Sequence, residues 1–415
     1  MAATAALPQG KKPMLSFQQA LSQLLEAVSC QQKVQQQPLA QALGWVLAED
    51  VLSPLQIPAY TNAAMDGYAF RYSDAIAQPL LTLVGQSLAG HPYQGPLPPG
   101  CCIRIMTGAK LPAELDTVVM QEQVEQQGAD NIRLCCQPKR GEHVRLAGSE
   151  IQQGAVVLKQ GQRLGPLQLG LAATLGYAKL PVYQQLKVGI ISTGDELVAP
   201  GLPLAEGQLY DSNRFVLGAM LARLGVGLTD YGWVADEPAL LKAAFAQAAT
   251  EVDVLVTSGG VSVGDADYTR QVLEELGQVS FWQVAIKPGK PFAFGKLGNC
   301  WFFGLPGNPV SAVLTLDQLA QPALRKLAGE QATPALRLQA TAKTKFPKKP
   351  GRLDFQRAVL SQQNGQLQLE PVMMDSSGML SSLLAANCLV PLALEKADIA
   401  SGELLELQLL SDWLR

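Results

Sequence analysis

The chain has 415 residues, 48% apolar and 16% charged, enough to bury cores in roughly two to four domains and too apolar for a disordered segment. Lysine and arginine number 32 against 35 acidic residues, a formal charge of −3, so the overall basic field of a nonspecific nucleic-acid binder is excluded and any cation site must be local. Only two histidines exist, His91 and His143, which sets aside a Ser-His-Asp triad and histidine-ligated metal and leaves carboxylates, lysines, arginines, hydroxyls and backbone N–H groups.

Residues 1–13 have no apolar run ahead of Lys11 and Lys12 and read as a mobile tail, not a signal peptide. Ser16 to Gln19 then reads as a capping box opening a helix with Phe17, Ala20, Leu21, Leu24, Leu25 and Val28 on one stripe. A second helix is expected over 38–48. The segment 58–69, with Asn62-Ala63-Ala64-Met65-Asp66-Gly67-Tyr68-Ala69, is neither helical nor alternating, and Asp66 is an exposed-loop acid or a site acid. Short β-type runs at 80–84, 102–106, 117–120 and 132–136, separated by Gly/Pro turns, predict a small β domain. In it Thr107-Gly108 closes a strand, as a turn hydroxyl or as a donor to an oxyanion. A helix is expected over 166–175. The longest charge-free apolar stretch, 164–178, is Gly-broken and too short to span a bilayer, so no membrane partner and a cytoplasmic location are expected. Seven cysteines, with adjacent pairs at 101–102 and 135–136 and no C-x-x-C, suit reduced thiols on strands.

From residue 186 strands and helices alternate: strand 187–191, helix 213–224, strand 228–234, helix 238–249, strand 252–256 and helix 269–276, the pattern of a doubly wound parallel sheet. The strand ends carry the chemistry. Thr257-Ser258-Gly259-Gly260-Val261-Ser262-Val263-Gly264-Asp265-Ala266-Asp267 places hydroxyls, glycines and acids at the carboxyl end of a buried strand, where glycines let backbone N–H groups approach a phosphate. Asp265 or Asp267 suits a hard cation such as Mg²⁺ beside that phosphate; Asp267 as a plain helix cap is the competing reading. Ser192-Thr193-Gly194-Asp195-Glu196-Leu197 repeats the pattern, and Asp236 follows the strand ending at Val234. Lys287-Pro288-Gly289-Lys290-Pro291 holds two lysines in a stiff turn, suited to an anion or merely solvated. Pro306-Gly307-Asn308-Pro309 ends the strand 301–303 and opens a helix capped by Asn308. Alternating runs at 336–344, 353–359, 367–369, 388–392 and 404–409 predict a C-terminal β domain with Arg352, Arg357 and Ser376-Ser377-Gly378 as polar contributors.

Taken together, the motifs around Asp66, Glu196, Ser258 to Asp267, Lys287 to Pro291 and Gly304 to Pro309 closely resemble the MoeA/gephyrin family over the chain from about residue 16 onward. The resemblance implies a multidomain fold, α/β plus β. Its parts are a scaffold (14–60 and 145–185), an inserted small β domain (61–144), a doubly wound, MogA-like molybdopterin-binding domain (186–330) and a barrel-like C-terminal β domain (331–415). It implies a molybdopterin molybdenumtransferase that inserts molybdate into adenylylated molybdopterin, with Mg²⁺, and releases AMP. It also implies a homodimer with clefts built from both chains, and contacts with the molybdopterin adenylyltransferase and other cofactor-assembly proteins. Functional positions of the family fall on Asp66, Thr107, Glu196, Asp236, Asp267, Lys287, Pro306, Pro309, Arg357 and Ser377. Ser258, Gly259, Gly260, Ser262, Gly264, Lys290, Gly307 and Asn308 join them as candidate binding residues, and Glu196, Asp236 and Asp267 as candidate Mg²⁺ ligands. The chain departs from the family pattern at Ala63, where serine is common, at Glu150, where aspartate is, and at Gln283, where a lysine or arginine is usual. The rival readings are an ATP-dependent molybdopterin adenylyltransferase, which is commonly the α/β domain alone, and a gephyrin-like binding scaffold, which carries a long polar linker absent here.

Overall fold

The computed structural model describes residues 14–260, 268–332, 336–373 and 376–410. The chain folds into two compact units, one of residues 49–159 and 170–178, the other comprising the remainder.

In the smaller unit a six-stranded sheet runs in the order Thr117–Met120, Gly67–Phe70, Cys101–Ile105, Leu80–Ser87, Asn131–Leu134, Val124–Gln127. Successive residues of a strand point to opposite faces. Ala69, Ile103, Ile105 and Val118 therefore fill one buried cluster while Phe70, Leu81, Cys102, Val119 and Ile132 fill another. Gly67 is required by proximity, since a Cβ there would lie 1.8 Å from the Val119 carbonyl oxygen. The Asp66-Gly67 step is thus a strand entry, and the strand carries Asp66 at its head.

The larger unit opens with the helix Phe17–Ala27. Ser16 and Gln19 exchange both bonds of the expected capping box, and Ala20 and Leu24 are buried. The helix expected over 38–48 does not form. Val34–Pro38 is a strand paired with Lys179–Tyr183, followed by a single 3-10 turn, Leu39–Gln41. Gly44 then adopts φ 80°, which ends helical geometry, and Val46 and Leu47 bridge to Arg163 and Val182. Apolar spacing alone misled there because the side chains pack against those partners from an extended backbone.

The α/β part contains β1 (Lys187–Thr193), α1 (Asn213–Arg223), β2 (Gly227–Val234), α2 (Pro238–Glu251), β3 (Val254–Ser258), α3 (Tyr268–Leu276), β4 (Gln278–Gln283), β5 (Pro291–Leu297), β6 (Cys300–Leu305) and α4 (Pro309–Thr315). The sheet order is β2-β1-β3-β6-β5-β4. The first four run parallel, while β5 is antiparallel to β6 and β4 antiparallel to β5, so the expected parallel sheet carries an antiparallel edge. Helices cover both faces. Val188, Ile190, Val254, Val256 and Phe303 meet Leu217, Leu221 and Val313 on one side, and Ile191, Leu255 and Phe302 meet Leu241, Phe245 and Leu273 on the other. From β1 the chain moves outward to β2, and from β3 it moves the opposite way. Their carboxyl ends thus flank a topological switch point, where ligands of such sheets bind.

The C-terminal strands Leu338–Ala342, Leu353–Gln363, Gln366–Pro371, Cys388–Leu392 and Leu404–Leu409 close into a barrel through pairing of Leu353–Gln363 with Cys388–Leu392. The two-residue strand Ile286–Lys287 adds to it in parallel, with Lys287 opposite Asp354. All seven cysteines are unbonded thiols. Burial pushes the Cys102 and Cys300 thiols up to about 12, which keeps them protonated and inert. Among the described residues no helix is long and apolar enough to cross a membrane.

Phe245 is fully buried with its ring 6.1 Å from that of Phe302. Phe245→Ala is expected to destabilise the α/β part by about 3–5 kcal/mol, as large-to-small changes in tight cores do. Urea unfolding followed by near-UV circular dichroism checks this, and a loss below about 1 kcal/mol contradicts the packing described.

Candidate functional site

The carboxyl edge of the sheet opens into a cleft of about 910 Å³, within the usual range of roughly 300–1,000 Å³ for ligand pockets. Each parallel strand contributes. Thr193 ends β1 and Gly194 and Glu196 follow it, Asp236 follows β2, Ser258 ends β3 and Gly259 and Gly260 follow it, and Pro306, Gly307, Asn308 and Pro309 follow β6. Lys287, Pro288, Gly289 and Lys290 line it from the turn between β4 and β5, and Arg352, Ser377 and Gly378 from the C-terminal part. A second cavity, of about 570 Å³, is lined by Lys187, Val252, Asp253 and Asn299, at the amino ends of the strands and remote from every motif above.

What fixes these loops is the head of α1. Asp211, 1% exposed, accepts from Ser192 Oγ of β1 at 3.1 Å and from Arg214 Nε at 2.9 Å. Arg214 Nη1 reaches Asp230 of β2 at 2.6 Å. Burial works against the Arg214 charge, and the two carboxylates outweigh it, so its pKa is raised. Asn213 Nδ2 donates to Ser258 Oγ and to the Gly307 carbonyl, both at 2.7 Å. One helix start thereby grips the ends of the parallel strands that line the cleft. Asp211 and Asn213 were not singled out in the sequence, because Asp-Ser-Asn ahead of an apolar helix is indistinguishable from ordinary capping.

The two acidic loops are tied to each other. Asp195 Oδ1 accepts from the Asp236 backbone N–H at 3.0 Å, and Trp233 Nε1 donates to the Gly194 carbonyl at 2.6 Å. Glu196 and Asp236 line the cleft as a result. On the cationic side Lys287 Nζ stands 3.5 Å from Asp354 Oδ2. Asp354 is 3% exposed and anchored by Gln356, so the lysine is held from behind by a buried acid. Burial lowers the pKa of Lys348, and Asp354 acts in the opposite direction on it. The turn packs tightly: Gly289 has φ 107°, and a Cβ there would fall 2.4 Å from Thr315 Oγ1. Asn308 occupies the N-cap position of α4, but its side chain makes no capping bond; its carbonyl accepts from Ala312 instead. The Val310 N–H donates to the Ser377 carbonyl at 3.0 Å, which seats the Ser377 segment on the start of α4.

The structure also unites two residues of the smaller unit that lie 41 positions apart. Asp66 Oδ1 accepts from both the backbone N–H and the Oγ1 of Thr107, each at 2.7 Å. The Thr107 N–H, then its hydroxyl, hold the Asp66 carboxyl below its ordinary value. Arg357 is placed elsewhere than Arg352: it is 3% exposed in the barrel strand Leu353–Gln363, and Arg352 is the arginine that lines the cleft. Ser262, Gly264 and Asp267 lie outside the described residues.

The cleft offers oxygen donors from carboxylates and hydroxyls, with no thiol or imidazole among its lining residues. That set fits a hard divalent cation such as Mg²⁺, which binds through one or two carboxylates together with substrate phosphates. No group of three or more His, Cys, Asp or Glu residues able to hold a metal by themselves occurs among the described residues.

Three family models cover the chain in order: the MoeA N-terminal region (domains I and II) at residues 15–176, a probable molybdopterin-binding domain at 189–326 and the MoeA C-terminal region (domain IV) at 339–410. A molybdopterin molybdenumtransferase of Haemophilus influenzae is 44% identical over 392 residues, covering 94% of this chain and 97% of that protein. The chain belongs to the MoeA family. A molybdopterin molybdenumtransferase of Bacillus subtilis is 32% identical over 383 residues, covering 90% of this chain and 89% of that protein. The crystal structure of a MoeA protein of molybdopterin biosynthesis from Pyrococcus horikoshii OT3 superposes with a TM-score of 0.83 at 28% identity, covering 96% of this chain and all of that one.

Because Asp66 has a lowered pKa in the folded chain, its contribution to stability is present above the unfolded carboxyl's pKa and is lost as pH falls through the lower folded value. Thr107→Val removes the hydroxyl donor and keeps the N–H. The Asp66 pKa is expected to rise toward the ordinary carboxylate value, read by a carbon-detected NMR titration; an unchanged pKa would show that the hydroxyl contributes nothing.

Proposed function

We propose that this chain is a molybdopterin molybdenumtransferase of molybdenum cofactor biosynthesis, taking adenylylated molybdopterin and molybdate as substrates and releasing AMP. The observation that carries this reading is the division of charge in one cleft, with Glu196 and Asp236 on the loops after β1 and β2 and Lys287, Lys290 and Arg352 on the lysine turn and the C-terminal part. The chemical problem is repulsion: a molybdate dianion must approach a phosphoanhydride that is itself negative. The cations counter it by receiving the oxyanion, with Ser377 as a hydroxyl donor, and the Gly259-Gly260 turn after β3, without side chains, leaves room for the phosphates. Glu196 and Asp236, joined in this proposal by Asp267, would hold Mg²⁺ at the phosphates. Bound there, Mg²⁺ supplies neutralisation of phosphate charge. Addition of water across the anhydride, promoted by molybdate, then frees AMP and leaves the pterin its phosphate, while the two dithiolene thiols give up their protons and displace one molybdate oxygen, which departs as water.

The flanking regions matched by the N-terminal and C-terminal MoeA models support this reaction over that of the adenylyltransferase. Asp66 and Thr107, joined by their hydrogen bonds, and Arg357, buried in the barrel strand that follows Arg352, belong to the proposed machinery through the family resemblance. We assign the protein to the cytoplasm as a homodimer of four-domain subunits, divided as the sequence divides them.

The test is AMP formation from adenylylated molybdopterin with Mg²⁺. Release that depends on molybdate is expected. Release indifferent to molybdate, or adenylylation of metal-free pterin by ATP, would overturn the assignment. Lys287→Ala is expected to raise the molybdate concentration for half-maximal rate by about tenfold, the equivalent of ~1.4 kcal/mol. Asp236→Asn is expected to raise the Mg²⁺ requirement while leaving that for molybdate in place. A Lys287→Ala enzyme with the parent's molybdate requirement would reduce the lysine to a solvated turn.

A further inference from the structure

We propose that Asn213 is a positioning residue for this reaction, holding the loop after β3 and the loop after β6 in the one arrangement that orients the adenylylated substrate; the inference rests on the function proposed above. Chemistry fixes the amide's orientation. The Gly307 carbonyl can only accept, so the Asn213 nitrogen must face it, and the second N–H of the same group goes to Ser258 Oγ. Both partners line the cleft. The loops they belong to are close enough that a Cβ on Gly307 would lie 3.9 Å from the Gly259 Cα, and the Gly259 N–H donates to the Leu305 carbonyl at 3.1 Å.

The cost side of the arrangement points to function. Asn213 is only 8% exposed, and its Oδ1 is buried with no hydrogen-bond partner among the described residues. A position selected for stability alone is better served by an apolar side chain or by a fully paired amide, because an unsatisfied buried acceptor is destabilising. What this amide provides, and an apolar side chain cannot, is a pair of donors aimed at two separate ligand loops. It fixes the Ser258 hydroxyl, which would otherwise rotate, and it occupies the Gly307 carbonyl. Asn213 itself sits on the rigid first turn of α1, whose Asp211 and Arg214 are already bound to β1 and β2. Loop positions are thus referred to the sheet through one side chain.

The experiment compares steady-state AMP release by the full chain and by Asn213→Leu, a variant of similar volume without donors. A fall in kcat of tenfold or more at saturating molybdate and pterin is expected, with KM for each within about threefold of the parent and the melting temperature not lowered. In combination with Ser258→Ala the losses should be less than additive, since both changes break the same link. Should Asn213→Leu fail to fold, Asn213→Asp keeps the shape, sets a carboxylate oxygen against the Gly307 carbonyl, and is read by the same criteria. A folded variant with kcat within twofold of the parent, or losses that add fully with Ser258→Ala, would overturn the positioning role alone. A parent that releases no AMP in response to molybdate would overturn the reaction and this role together.

Discussion

The structure of the cleft depends on a short polar segment at the start of one helix. A parallel sheet ends in loops that its own ladder no longer holds, and a ligand site made from several such loops needs a cross-link between them. Asp211, Asn213 and Arg214 supply it, reaching β1, β2, the loop after β3 and the loop after β6. Ser192, Asp211, Asn213 and Ser258 are buried, so the bonds among them are made in a low-dielectric setting where misplacement is penalised, while the Arg214–Asp230 pair lies at the surface. The segment explains why chemistry can be distributed over loops far apart in sequence yet meet in a single cleft of about 910 Å³.

Around that frame the cleft is divided by charge. Its acids come from the α/β part, and their loops are bonded to each other through Asp195 and Trp233. Its cations come from the lysine turn and the C-terminal part, and these two are stitched together by the pairing of Ile286–Lys287 with Leu353 and Asp354. Asp354 backs Lys287 without removing it from the cleft, since the lysine side chain stays 35% exposed. In the proposed reaction the two signs on different supports would serve phosphates and oxyanion separately. Gln283, uncharged, ends β4 just before the lysine turn; Lys290 and Arg352 are the further positive groups lining the cleft.

Much of this was legible in the sequence, for identifiable reasons. The capping box at Ser16, the alternation of strands and helices from residue 187 and the hydroxyl, glycine and acid patterns at strand ends are local signals, and local signals survive into the fold. The segment 38–48 was misread because its apolar spacing serves packing from an extended backbone, with Gly44 breaking any helix. The antiparallel edge of the sheet was hidden because β4 and β5 are joined by a turn whose lysines and prolines drew attention as ligands and not as a connection. The bond between Asp66 and Thr107 was invisible in principle, since nothing local couples residues 41 positions apart. Asn213 was missed for a different reason: its role is directional, and direction is a property of coordinates.

The central claim is that the carboxylates and the cations lining one cleft, carried on different loops, divide the two inorganic partners between them. Anomalous diffraction from crystals of the full chain, grown with AMP and soaked with Mn²⁺ in place of Mg²⁺ and with molybdate, tests it most directly. The account predicts a manganese peak beside Glu196 and Asp236 and a separate molybdenum peak beside Lys287, Lys290 or Arg352. Both peaks beside one of these two sets of residues, or molybdenum bound only outside the cleft, would contradict it.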